Sequence, residues 1–131
     1  MHIAAPHRLW HAERVDLAEK LQIKPGQSLA ILNPPHGVAL PASTSGTQPS
    51  TAHAVIGFAV HREDLDQLGA VIGAARADRL AWIGYPKGGQ LGTDLNRDRL
   101  VQALASHGIQ PVRQVSIDAT WSALSFRPMV S

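Results

Sequence analysis

The 131-residue chain contains no cysteine. That excludes disulfides, a thiolate nucleophile and any cysteine-ligated zinc or iron–sulfur site. Long hydrophobic runs are missing too. The longest, such as Ala54 to Val60, fall far short of the ~20 residues that a membrane helix requires. No membrane association is therefore expected. An excess of one charge is also absent: twelve Lys and Arg are mixed with ten Asp and Glu, for a net charge of +2. No basic stripe stands out, so nucleic acid has no electrostatic footprint here. The first ten residues, MHIAAPHRLW, lack the charged-then-apolar layout of a signal peptide. A cytoplasmic location is the expectation.

The length suits one domain spanning residues 1–131, with 1–10 expected as a flexible N-terminus. At this size folding buries roughly two-thirds of the unfolded chain's surface. Residues 11–22 read as a helix with Leu17, Ala18 and Leu21 on one face, stopped by Lys24-Pro25-Gly26. A strand at Ser28–Leu32 follows. Ala54–Val60 is an uninterrupted apolar run of the kind found in strands covered on both faces. The acids of His61-Arg62-Glu63-Asp64 then open a second helix, where they complement its dipole. Leu65, Leu68, Ile72 and Ala75 continue it at helical spacing.

Arg79–Tyr85 is a third strand, leading into the glycine-rich stretch Pro86–Gly92. Thr93-Asp94-Leu95-Asn96 offers N-cap candidates for a helix to about His107, with Leu100, Val101 and Leu104 as its buried stripe. Gly108 suits the left-handed position beyond its end. Val112–Asp118 and Trp121–Arg127 are the last two strands. So short a link permits only an antiparallel pair. The alternation of strands and helices implies an α/β protein with a mostly parallel sheet.

Between the first two strands lie residues 33–53, of which twelve are Pro, Gly, Ser or Thr and none is Asp or Glu. A structureless loop of that length is unusual in a compact domain. It opens with Asn33-Pro34-Pro35-His36. Amino-group methyltransferases carry a similar Asn-Pro-Pro-aromatic tetrapeptide at a strand end, where it holds the target amine. In this chain the motif follows the first strand and His36 replaces the aromatic. The plainer reading is that Asn33 caps the strand and the prolines stiffen its exit.

Leu21–Leu29 (LQIKPGQSL) resembles the lead-in to the first strand of class I methyltransferases, whose sheet is Rossmann-like. Residues 96–126 resemble the last helix and final hairpin of that fold. Laid on this chain, the family's cofactor turn falls on Asn33, Pro35 and Gly37, so one glycine survives of the motif. Prolines supply no N–H and no positive φ. The strand that normally ends in a ribose-holding carboxylate is replaced by the acid-free loop. The resemblance therefore implies a three-layer Rossmann-like sandwich of five strands, in order 1-2-3-5-4 with the last antiparallel. Such a fold resembles a methyltransferase domain lacking two strands, and no cofactor is expected, S-adenosylmethionine in its usual pose included. The phrases Lys20–Gly26, Asn33–Pro35, Trp82–Lys87, Thr93–Leu95 and Asp118–Leu124, in that order, resemble a bacterial family known only as a domain of unknown function.

Open α/β sheets bind ligands beyond the carboxyl ends of their strands. Those ends deliver Asn33, His36, His61, Tyr85, Lys87, Asp94 and Asp118 as candidate ligand-binding residues. Lys87 in its glycine loop has the makings of an anion site, though not of the phosphate loop of nucleotide-binding proteins. His7 and His11 sit four apart without a third ligand, so no metal is expected. Ser122 lacks a hydrolase context, and no catalytic residue is assigned. The leading expectation is a non-catalytic domain that binds a small ligand or a protein partner. One alternative is an enzyme at the strand rim acting on an anionic or nucleotide-like substrate. Another is a self-associating module, a homodimer through the sheet edge left open beside the first strand.

Overall fold

The computed structural model describes residues 16–41 and 47–129. The chain forms an α/β fold around an open, mixed sheet of five strands in the order β1-β2-β3-β5-β4. Its elements are α1 (Asp16–Lys20), β1 (Leu29–Leu32), β2 (Ala54–Phe58), a 3-10 helix (Arg62–Gln67), α2 (Gly69–Arg76), β3 (Leu80–Pro86), α3 (Arg97–Ala105), β4 (Ile109–Ser116) and β5 (Trp121–Pro128). The pairs β1–β2 and β2–β3 are parallel, and β5 runs antiparallel to both β3 and β4. The expected strand order and the orientation of the hairpin are therefore observed. Residues 11–15 of the expected first helix and the segment 1–10 lie outside the described residues. No helix among those described is long and apolar enough to cross a membrane.

Each face of the sheet carries its own core. Ala30, Val55, Ile83, Tyr85, Leu124 and Phe126 point to one face, where α2 contributes Val71 and Ala75, and α3 contributes Leu100 and Leu104. Leu29, Ile56, Phe58, Trp82 and Ala123 point to the other. There Leu17, Leu21 and Ile23 cover them, with Val38 and Leu40 from the segment after β1. The alternation along each strand is the period of two that a pleated backbone imposes.

Three boundaries differ from the sequence expectation, each for a tertiary reason. The first helix ends at Lys20, two residues short of the expected Gln22. Gln22 takes φ 63°, Gln22 N–H donates to the Glu19 carbonyl and Ile23 N–H to the Ala18 carbonyl, both at 2.9 Å. These two bonds form a Schellman cap without glycine. Trp82 Nε1–H, wholly buried, donates to the Leu21 carbonyl at 2.9 Å, so a free helix-end acceptor is satisfied from β3.

The second helix is broken at Leu68, the residue between the 3-10 and α-helical parts, at φ −105° and ψ 27°. Leu65 and Leu68, three apart, match the 3-10 repeat and both are buried. A Cβ on Gly57 would lie 2.7 Å from Leu68 Cδ2. The break lets Leu68 press onto bare β2 backbone. The fourth strand begins at Ile109, three residues early, because Gly108 at φ 80° turns the chain straight from α3 into pairing with β5. Pro111 within it is tolerated because β4 is an edge strand. A register shift between Pro111 and Gln114, together with exposed Arg113, blunts that edge.

Candidate functional site

β1 ends at Asn33, which adopts φ 55°. Asparagine tolerates this left-handed conformation better than most residues. Its Nδ2 donates to the Phe58 carbonyl at 2.9 Å, tying the exits of β1 and β2 together. Pro34 and Pro35 carry the chain away from the sheet. A turn at His36-Gly37 then returns Val38 to the second core.

An open cleft of about 420 Å³ lies at this end of the sheet. Its floor is Phe58 and Trp121, packed edge to face with ring centroids 5.4 Å apart. One wall is Asn33 to Val38, and the opposite wall is Asp118 and Thr120 from the β4–β5 turn. Leu91 stands at the mouth. It is more than half exposed and holds φ 58°, a left-handed conformation that costs a leucine roughly 1–2 kcal/mol.

Asp118 shapes its own turn. One carboxylate oxygen accepts both the Thr120 and the Trp121 backbone N–H at 2.8 Å. Among the described residues no lysine or arginine lines the cleft, and Asp118 is the one charged residue of that lining.

The structure thus brings Asn33, His36 and Asp118 into one cleft and distributes the other four candidates. Tyr85 is buried on the opposite face of the sheet. Burial raises its phenol pKa above the ordinary 10, with partial relief from Arg97 and from a hydrogen bond with Ser122. Lys87 Nζ donates to Ser116 Oγ at 2.5 Å, and Lys87 N–H to the Thr120 carbonyl at 2.7 Å, so this residue straps the β3 exit to the hairpin. The backbone N–H groups of Val60 and His61 donate to one Asp64 carboxylate oxygen at 3.0 and 2.9 Å. Asp94 accepts Arg62 N–H at 2.8 Å. It borders a second hollow, between the 3-10 helix and α3, where Arg62, Glu63, Asp66 and His107 mix both signs of charge.

Val38, Phe58, Val60, Leu91, Thr120 and Trp121 are lining residues that sequence reasoning missed. Leu91 was signalled by its place within the glycine-rich loop. Trp121 was signalled by its place just after the turn. Both read as ordinary apolar residues in one dimension. His53 is tied to Ser28 at the opposite, amino-terminal end of β1 and β2, its N–H donating to Ser28 Oγ at 2.9 Å. Among the described residues, no three of His, Asp and Glu converge as a metal ligand set. In comparisons with known proteins, the chain matches no protein-family model and no curated protein sequence.

Proposed function

We propose that this protein is a non-catalytic, methyltransferase-like domain that binds a small ligand in the cleft between the β1 exit and the β4–β5 turn. The observation that carries the reading is that cleft: concave, floored by two aromatic rings, and set beyond the carboxyl ends of parallel strands. Its volume falls within the range of small-molecule sites. The strand order, with an antiparallel β5 inserted between β3 and β4, supports descent from a Rossmann-like methyltransferase sheet that has lost two strands. So does the phrase Leu-x-Ile-Lys-Pro-Gly before β1.

The same cleft argues against S-adenosylmethionine in its usual pose. Pro34 and Pro35 form its wall where a cofactor turn would offer backbone N–H groups, and prolines have none to give. The acids near the rim are engaged by backbone: Asp64 caps the 3-10 helix, Asp94 holds Arg62, and Asp118 holds its own turn. An anionic or nucleotide-like substrate would find no lysine or arginine among the described lining residues.

A thermal-shift screen tests the reading. Saturation at 100 times Kd stabilises by about 2.7 kcal/mol. At roughly 2.1 cal/mol/K of unfolding entropy per residue, that is a rise in Tm of about 10 °C for this chain. The expected outcome is such a rise with small neutral or cationic compounds and none with S-adenosylmethionine or nucleotides. A complex with the adenosyl group seated over Pro34 and Pro35 would overturn the proposal.

A further inference from the structure

Accepting the cleft as a small-molecule site, we infer that its ligand is an organic ammonium: a compact amine with a flat apolar body. The argument rests on what faces the cleft and what does not. Asp118 uses one carboxylate oxygen for the Thr120 and Trp121 N–H groups. Its other oxygen has no partner among the described residues. No ion pair with it forms among the described residues, where the single one is Arg97–Asp98. The Lys87 and Lys20 ammonium groups are held at Ser116, two residues before Asp118.

A half-used carboxylate at the edge of a hollow whose described lining holds no lysine or arginine selects for positive charge and against negative charge. The floor agrees. The Phe58 and Trp121 side chains give the lining an apolar surface for the body of the ligand. Thr120 and His36 add further hydrogen-bond acceptors on the two walls, so an –NH3+ group, with three donors and no acceptor, finds a matching set. Leu91, exposed and held left-handed at the mouth, is placed to cover the apolar body of a bound molecule.

Three probes of one shape and different charge test this. Phenethylamine, phenethyl alcohol and hydrocinnamate are titrated into the 15N-labelled protein, and the amide shifts of His36, Gly37, Leu91, Thr120 and Trp121 are followed. The amine is expected to move these amides and to bind at least about tenfold more tightly than hydrocinnamate. Asp118→Asn keeps an amide oxygen to accept the two turn N–H groups. It is expected to erase the preference for the amine, so that the amine and phenethyl alcohol bind about equally. Should that variant fail to fold, added salt serves on the unaltered chain, because an ionic preference at an open site falls as salt rises. If hydrocinnamate or the alcohol titrates the same amides as tightly as the amine, the ammonium assignment is wrong and the cleft stands as a ligand site. If none of the three moves them, the reading of the cleft as a small-molecule site falls as well.

Discussion

Gly84 lies in the middle of β3, directly under the ring that floors the cleft. A Cβ built there would sit 2.5 Å from Phe58 Cδ2 and 2.6 Å from Cε2. Carbon atoms in van der Waals contact lie at about 3.5–4.0 Å, so Gly84→Ala drives a methyl about an ångström into the ring. Phe58 is itself fully buried and meets Trp121, so the ring has little room to retreat. Overpacking of a core costs about 1–3 kcal/mol, and this contact belongs at the upper end. Against it, alanine in a strand interior gains about 0.5–1 kcal/mol over glycine. The expected net loss is about 2 kcal/mol. In a Phe58→Ala background, which alone costs about 3–5 kcal/mol, the clash vanishes and the added methyl fills space. There Gly84→Ala is expected to stabilise slightly. The double-mutant cycle should therefore show a coupling of about 2–3 kcal/mol. Urea unfolding of the four proteins, read by tryptophan fluorescence at unchanged m, measures it. Equal effects of Gly84→Ala in both backgrounds would refute the packing argument.

Three other outcomes follow from single residues. Asn33→Ala should lose about 2 kcal/mol, from the bond to the Phe58 carbonyl and from a left-handed backbone, whereas Asn33→Gly should lose only about 1; denaturant midpoints in the opposite order would contradict it. Leu91→Asn should stabilise by about 0.5–1 kcal/mol in thermal unfolding while weakening ligand capture in the cleft, because asparagine accepts φ 58° more readily than leucine. Tyr85 is the single tyrosine, and burial raises its folded pKa above 10. Its contribution is complete below the unfolded value and is lost as pH rises through the folded one, so stability should begin to fall above about pH 10. Tyr85→Phe should remove that part of the alkaline slope, and phenolate absorbance of the native protein should titrate later than that of the unfolded chain.

Much of the fold was legible because its signals are local. Ala54–Val60 reads as a strand buried on both faces, and β2 is buried throughout. The two-residue link Ala119-Thr120 dictates an antiparallel hairpin. Asn96, among the candidates Thr93, Asp94 and Asn96, is the cap of α3, with Oδ1 accepting Arg99 N–H at 2.8 Å. What was illegible depends on neighbours in space. Pro111 argues against a strand unless β4 lies at an edge. The break at Leu68 is set by the bare surface of Gly57. Gln22 ends its helix in a conformation that glycine usually takes.

The candidate site divides in the same way. Asn33, His36 and Asp118 were found because the carboxyl ends of strands can be counted along the chain. Tyr85 sits at such an end too, but pleating turns it, with Ile83, toward α2 and α3. Phe58 on β2 and Trp121 on β5 meet only because both strands pair with β3.

The sequence by itself determined the class of the fold and the order in which its pieces are made, since apolar period, proline and glycine act over a few residues. Tertiary structure alone decided which side chains share the cleft and which oxygen of Asp118 stays open. Those facts depend on strand register and on the face each residue takes, and both are set by contacts between segments far apart in the chain.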